Sequence, residues 1–433
     1  MKKLQIITAT LDKIVGGGQA LGTHEDGRKL FVWGGLPGET VEVQITKKKS
    51  KMLEGIVTNV LTASPQRIQP VDPDSFLSTS PWQIMDFEAE QHYKSALIEE
   101  AFELHNIVLP EPITTYTDGI QFGYRNKIEY SFWYDTDTNK LDLAFFRRGT
   151  HGKIPIEYTS LASTAIADLS KEILGVLNDL NIEGRSLKTL LIRSNRTGQT
   201  AWQLYVKNED FPATEVTKRV NAASAICGEV IFSNPKSPAS VITKRLVSTS
   251  DKTLSDTILD VPFTYATEGF FQINLAVYEQ ALKDMREWVE SDKPLLDLYS
   301  GVGSIGLTIG GDDVTLIEIN EHAVREMQRN IKELGREDSA KAVLSPSENA
   351  LDHIRTDSCI IVDPPRAGLH EDVVNKLLET APARIIYLSC NPATQARDVM
   401  MLSEKYGIRA HKGYNFFPRT PHIEHLVILD RKN

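Results

Sequence analysis

Cys390 lies between two polar residues, Ser389 and Asn391, and Pro392 follows at once. Asparagine is a good helix N-cap and proline a good first helical residue, so a helix is expected over Ala393–Leu402. The thiol would then sit beside a helix N-terminus, where partial positive charge favours the nucleophilic thiolate. A cysteine so placed is a candidate for covalent catalysis. The alternative is a small buried core cysteine. Cys359, which begins an apolar run, fits that alternative, and so does Cys227. Further on, His422, Glu424 and His425 precede the strand-like Leu426–Leu429. They read as metal ligands, although no matching Cys or carboxylate cluster accompanies them. Glu424 also reads as a general base near a reactive cysteine, or as a solvated edge-strand residue.

A second group is built on glycine. Gly301, Gly303 and Gly306 form GxGxxG after the apolar run Leu295–Tyr299, and Glu318 stands twelve residues past the last glycine. Such a loop permits a tight turn and close ligand approach, and the later acid can accept from ribose hydroxyls. Both NAD and S-adenosylmethionine sites use this pattern, and a plain tight turn is the structural alternative. Asp297, just ahead of the loop, suits a cationic amino-acid moiety better than a pyrophosphate.

The elements that must hold these residues follow from hydrophobic patterning. The apolar runs Leu295–Tyr299, Val314–Ile319, Ile360–Val362 and Ile385–Leu388 alternate with helical stretches, including Ala323–Leu334 and Asp372–Leu378. Short apolar runs between helices are the signature of buried parallel strands, so residues 266–433 are expected to form a doubly wound α/β domain. Asn274 is the expected cap of a helix carrying Leu275, Tyr278, Leu282, Met285 and Val289. Ligands bind beyond the carboxyl ends of such strands. Each run is followed there by an unusual polar motif: the glycine loop, Glu318, Asp363-Pro364-Pro365-Arg366, and Ser389-Cys390-Asn391-Pro392.

Residues 1–63 read as short strands between glycine-rich turns, a small antiparallel barrel. Lys47-Lys48-Lys49-Ser50-Lys51 is either a solvated hairpin tip or a phosphate-contacting loop. Pro65, Pro70 and Pro73 mark a linker. Residues 64–265 are expected to form a central α+β domain, with helices at Phe87–Leu104 and Leu169–Leu180 and strands at Lys127–Tyr134, Leu187–Arg193 and Thr200–Val206.

Composition sets the outer bounds. The 433 residues suggest roughly three domains at about 150 residues each. An ordinary apolar content argues against disorder, and three scattered cysteines against a disulfide scaffold. No apolar run approaches the ~18 residues of a membrane span, and the N-terminus lacks a signal-peptide core. A soluble cytoplasmic protein is expected. The net charge of −10 speaks at first against nucleic acid, yet residues 1–70 carry +4 and the remainder −14. The basic excess is confined to the barrel.

Together these residues resemble the S-adenosylmethionine-dependent RNA uridine-5-methyltransferases, in the branch with an N-terminal TRAM domain. Leu36-Pro37-Gly38-Glu39 and Ser64-Pro65-Gln66-Arg67 are similar to TRAM-region signatures. Tyr124-Arg125-Asn126-Lys127, Phe270-Phe271-Gln272-Ile273-Asn274, Asp297–Gly303, Asp363–Gly368, Ser389–Pro392 and Phe417–Glu424 complete the set in order. The resemblance implies Cys390 as nucleophile and Glu424 as proton acceptor. It implies cofactor contacts from Gln272, Tyr299, Glu318 and Asp363, joined by Asp297, Gly301 and Gly303 from the loop reading. Lys47, Lys48, Lys49, Arg125 and Lys127 are the expected RNA contacts, with 23S ribosomal RNA ahead of transfer RNA as substrate and a monomer as the working unit.

Many members of that family hold an iron–sulfur cluster on four cysteines. Asp72, Ser78, Pro81 and Thr159 occupy those positions here, so neither a cluster nor any other metal is expected. Pro346 stands where the family often has an acid or amide near the adenine. Three rivals to this reading are an NAD-dependent oxidoreductase, an amino-group methyltransferase suggested by Asp363-Pro364-Pro365, and a non-catalytic RNA-binding protein. The first leaves Cys390 and the basic barrel without roles. The second usually has an aromatic residue where Arg366 stands, and the third does not explain the motifs after residue 266.

Overall fold

The computed structural model describes residues 5–150, 152–220 and 223–432. Strands β1 (Ile6–Ile14), β2 (Ala20–Thr23), β3 (Lys29–Trp33), β4 (Thr40–Lys48) and β5 (Met52–Thr62) close a barrel in the order β1-β2-β3-β5-β4. The alternation of β4 puts Val41, Val43 and Ile45 inside. The barrel is not wholly antiparallel, because β3 and β5 pair in parallel. Its two signature segments clasp each other. Buried Glu39 accepts from the amides of Leu36 (2.8 Å) and Ser64 (3.1 Å) and from Arg67 Nη2 (2.7 Å). The same Arg67 nitrogen donates to the Gly34 carbonyl at 2.8 Å.

The linker holds α1 (Phe76–Thr79) and α2 (Phe87–Glu103), the latter capped by Asp86, and leads to β6 (Thr115–Tyr116). The sequence places this stretch in the central domain, but β6 pairs with the C-terminal sheet and α2 packs on that sheet's last helix. Of the positions matching the family's cluster cysteines, Asp72 lies in a hydrogen-bonded joint. The Asp72 carboxylate accepts from Ser160 Oγ (2.7 Å), the Ser160 amide and Gln83 Nε2 (3.0 Å). Among the described residues no group of three or more His, Cys, Asp or Glu side chains could hold a metal ion.

The face that α2 buries is charged as well as apolar. Glu90 and Lys94 are fully buried beside Leu97, Ala101 and Phe102. Lys94 Nζ lies 3.1 Å from Glu90 Oε1, donates to Asn415 Oδ1, and donates to the Phe417 carbonyl at 3.1 Å. Glu90 also accepts from Asn415 Nδ2 (2.9 Å) and from the Arg419 amide (3.0 Å), and Arg419 Nη1 lies 3.6 Å away.

In the central part, β7 (Lys127–Asp135), β8 (Lys140–Phe146), β9 (Lys153–Ile156), β10 (Leu187–Ser194), β11 (Thr200–Val206), β12 (Ala225–Phe232) and β13 (Lys244–Ser248) form a sheet. Its order is β13-β12-β11-β10-β7-β8-β9. Helices α3 (Thr164–Asp179) and α4 (Ala213–Arg219) pack on it, α3 through Ile166, Leu169, Ile173 and Leu177. A hairpin of β14 (Leu254–Ile258) and β15 (Val261–Tyr265) leads onward.

The C-terminal part contains α5 (Leu275–Arg286), β16 (Leu295–Leu298), α6 (Ser304–Ile309), β17 (Val314–Glu318), α7 (Glu321–Glu333), β18 (Ala340–Leu344), β19 (Cys359–Val362), α8 (Glu371–Thr380), β20 (Arg384–Ser389), α9 (Pro392–Leu402), β21 (Tyr406–Tyr414) and β22 (Glu424–Arg431). The sheet order β18-β17-β16-β19-β20-β22-β21-β6 reverses direction between β16 and β19, the crevice where doubly wound sheets bind ligands. Strands β16 to β20 are parallel, while β22 runs antiparallel between β20 and β21. Apolar clusters cover both faces. No described helix is long and apolar enough to cross a membrane.

Burial, with a smaller push from the Arg419 charge, pulls the Lys94 amine down to about 8, and Glu90 opposes the shift. Lys94→Met keeps the volume but removes the nearest cation from a buried carboxylate. It is expected to cost about 3 kcal/mol in urea unfolding. A midpoint equal to wild type would show that the network does not support the fold.

Candidate active site

Residues from all these strand ends converge on one cavity of about 1380 Å³. After β16 the chain turns sharply through Tyr299, whose φ of +63° lies in the left-handed region. The glycine loop that follows is pinned by two acids. Glu318 Oε2 accepts the Gly301 amide at 2.9 Å, and Asp297 Oδ2 accepts the Gly306 amide at 2.9 Å. Tyr299, Gly301 and Glu318 line the cavity; Asp297 and Gly303 do not. Asp297 is fully buried and braces the loop from behind, where burial lifts its carboxyl to about 8. Gly303 caps α6 at a φ of +84°.

The next two strand ends are laced together. Asn391 caps α9 by accepting from the Ala393 amide, and its Nδ2 donates to the Arg366 carbonyl at 2.8 Å. Thr394 Oγ1 donates to the same carbonyl at 3.2 Å. Asp398, fully buried, accepts from the Leu369 amide (2.8 Å) and Tyr387 OH (2.7 Å). These bonds fix Asp363, Arg366 and Cys390 on one wall, with Cys390 partly accessible.

The neighbouring strand β22 adds to the same wall, through the segment that the buried network of α2 holds. Arg419 takes a φ of +64°, and the chain then delivers His422 and Glu424 to the cavity. Glu424 is 6% exposed, and among the described residues no side chain or amide donates to its carboxyl. The strand alternation turns His425 away, where Nδ1 meets Gln395 Oε1 at 2.7 Å. The three residues His422, Glu424 and His425 therefore do not converge as metal ligands. His422 Nδ1 lies 3.1 Å from Arg366 Nη2.

The electrostatics differ from the local expectation at Cys390. The thiol is pushed up to about 11 by burial first, then by the carboxyls of Glu424 and Asp363, with Arg366 opposing. Burial, together with two carboxyls brought in by the strands on either side of β20, sets the direction opposite to the one the helix terminus suggests. Asp363 itself is raised by burial to about 7, and Glu424 is raised well above its usual range by burial and by Asp363. His422 is lowered to about 4 by burial and by surrounding cations, so it is neutral at pH 7.

Gln272 lines the cavity from the segment entering α5, and its carbonyl accepts from Asn126 Nδ2 at 2.8 Å. Of the expected RNA contacts, Lys49 is exposed at the β4–β5 turn, Lys47 pairs with Glu54 at 3.1 Å, and Lys48 donates to Gln5. Arg125 and Lys127 are drawn inward: Lys127 Nζ donates to the Glu268 carbonyl at 3.1 Å, and Arg125 Nε is buried without a partner. None of these five lines the cavity. The sequence reading passed over Arg366 and Glu348 as site residues, and both line it. The first is visible as the basic residue closing the Asp363-Pro364-Pro365 motif; nothing local marks the second.

S-adenosylmethionine suits this lining. A Cβ at Gly301 would meet nothing within 4 Å, so the loop leaves open space for a ligand. Glu318, Glu348 and Asp363 give that side an acidic character suited to a sulfonium and an ammonium group. Tyr299 OH is buried without a hydrogen-bond partner.

A family model described as tRNA (uracil-5-)-methyltransferase matches residues 91–432, and a TRAM domain model matches residues 5–58. The chain is 29% identical over 441 residues to an uncharacterized RNA methyltransferase of Enterococcus faecalis, covering 94% of this chain and 95% of that protein. Over 464 residues it is 28% identical to one from Fusobacterium nucleatum, covering 100% and 97%. The crystal structure of Pyrococcus abyssi tRNA (uracil-54, C5)-methyltransferase with S-adenosyl-L-homocysteine superposes with a TM-score of 0.78 at 22% identity. It covers 98% of this chain and 100% of that one, which shows a shared fold.

The carboxyl beside the thiol makes a measurable difference. In Glu424→Gln the largest charge opposing thiolate formation is gone, so the pH midpoint of Cys390 alkylation is expected to fall clearly below about 11. A midpoint unchanged from wild type would remove Glu424 from the thiol's surroundings.

Proposed function

Because this chain belongs to the tRNA (uracil-5-)-methyltransferase family and is an S-adenosylmethionine-dependent RNA uracil-C5 methyltransferase, we propose that Cys390 and Glu424 carry its chemistry, on a uridine of 23S ribosomal RNA. One observation carries the residue assignment. The Cys390 thiol and the Asp363 and Glu424 carboxyls line the same cavity as the loop of Gly301 and as Glu318.

Uracil C5 is too weak a nucleophile to take a methyl group directly. The Cys390 thiol first passes its proton to the neighbouring carboxylate pair, and from there to water. Its sulfur then bonds to C6, which moves an electron pair into an enolate and activates C5. S-adenosylmethionine supplies the electrophilic methyl group. Glu424 then takes the proton from the methylated C5, the C6–S bond breaks, and the sulfur leaves with its electron pair. One proton is released per methyl transferred. The base must leave its stack to reach the thiol.

Gln272, Tyr299, Glu318 and Asp363, with the open turn at Gly301, would hold the cofactor. Asp297 and Gly303 serve it indirectly by shaping the loop. Lys47, Lys48 and Lys49 would meet RNA phosphates from the barrel. The divisions at 63/64 and 265/266 would then separate RNA grip, central support and chemistry, with α2 and β6 joined to the catalytic part. Transfer RNA is the second reading, favoured by the Pyrococcus abyssi enzyme, a tRNA methyltransferase whose fold matches this chain through the barrel as well.

Cys390→Ala is expected to abolish methylation while binding S-adenosylhomocysteine normally by calorimetry; normal turnover would refute the nucleophile. Glu424→Gln is expected to slow turnover by about 10²–10⁴-fold and to trap a protein–RNA adduct, seen as a slow band in denaturing electrophoresis. Mapping 5-methyluridine in RNA from a deletion strain decides the target: loss from 23S ribosomal RNA supports the proposal, and loss from tRNA alone replaces it with the second reading.

A further inference from the structure

Cys390, Arg366 and His422 belong to the walls of two cavities. The larger is the one the glycine loop and Glu318 enter. The smaller, about 630 Å³, is built by all three parts of the chain: Gly17 and Trp33 from the barrel, Arg148 from the central part, and the residues around Cys390. The thiol is therefore open to a second approach, on the side where the barrel stands.

That second approach is electropositive in a chain of net charge −10. Arg148 is anchored by donation from Nε to the Leu77 carbonyl, and its guanidinium lies over the Trp33 ring at 4.1 Å. Among the described residues neither Arg148 nor Arg366 takes part in an ion pair with a carboxylate. The one acid on this wall, Glu100, is already paired with Lys13 at 2.5 Å. Burial first, and then the cations Arg366, Lys94, Arg125 and Arg148, lower His422, so the imidazole adds no charge of its own here. A stacked guanidinium with free nitrogens is preorganised for an oxyanion.

We propose that the smaller cavity admits the extruded uridine, and that Arg148, held on the Trp33 ring, binds an RNA phosphate next to it. This rests on the functional reading above and adds the route and the grip. Cofactor and RNA then reach Cys390 from different sides, so neither must leave for the other to enter. Arg148 is a positioning residue: it fixes the strand that presents the base and does not touch the reacting atoms.

The test uses the full chain and an unmodified transcript of the RNA that loses 5-methyluridine in the deletion strain. Arg148→Gln is expected to raise the Kd for that transcript about tenfold at 0.1 M salt and to reduce the slope of log affinity against log salt by about one phosphate contact. Arg148→Lys should restore the salt slope while recovering only part of the affinity, because a lysine keeps the charge but not the planar stack. The affinity for S-adenosylhomocysteine should stay within twofold in both. An Arg148→Gln protein with wild-type Kd and slope would overturn the proposal. So would a loss of affinity with the slope intact in both variants, since that marks a merely structural role. Absence of any Cys390-dependent methylation by the wild type would sink the functional reading instead, a different readout from the salt slope.

Discussion

A carboxylate and an ammonium group with no water around either must find every partner within the protein, and this requirement organises the molecule. Glu90 and Lys94 sit on the buried face of α2, and neither can be left uncompensated without about 3–5 kcal/mol of loss. Their partners are Asn415, the carbonyl of Phe417 and the amide of Arg419, all in the segment that runs toward β22. Satisfying the charges therefore fixes the backbone that carries His422 and Glu424. The same segment holds the linker, since the Arg419 carbonyl accepts from the Trp82 amide and Trp82 Nε1 reaches the Gly18 carbonyl in the barrel. One desolvated ion pair thus sets the relative positions of three parts of the chain.

Around Cys390 the same physics works in the other direction. Burial without full compensation keeps protons on groups that would lose them in water: the thiol near 11, Asp363 near 7, and Glu424 above its normal range. Burial and mutual repulsion thus hold down the negative charge that these three acidic groups place on the wall. A cation entering beside them favours release of those protons, because each released proton leaves a negative charge that the cation stabilises. Readiness of the nucleophile is in this way tied to the charge of whatever shares the cavity.

Local signals in the sequence located much of this. Asn391-Pro392 marks the start of α9, Asn274 caps α5, and the run Thr200–Val206 is β11 without adjustment. Each depends on a handful of neighbours in the chain. Interactions across long separations were not legible. Glu90 and Lys94 look like solvent-facing residues of an amphipathic helix, because their partner Asn415 lies 325 residues from Glu90. The helix terminus at Cys390 suggests a lowered thiol pKa, yet burial raises it, helped by carboxyls just after β19 and at the start of β22, whose proximity only the sheet order reveals. Asp297 shows the same gap between type and placement. Its position ahead of the glycine loop reads as a ligand contact, and the fold uses it as a brace because its oxygen faces the Gly306 amide. Strand β18 and the long antiparallel β21 lacked the apolar continuity that marks the other strands.

Gly18 sits in the barrel's first turn at a φ of +89°, and a Cβ there would come within 2.1 Å of Pro421. The barrel consequently abuts the loop between Arg419 and Glu424 through bare backbone. Its modularity is limited by that contact. An exchange of this barrel for a relative's by recombination would have to preserve a glycine at one position, or the joint would be pried apart where the substrate-facing residues are seated. Changes on the barrel's outer surface meet no such constraint, while at Gly18 any side chain collides with Pro421.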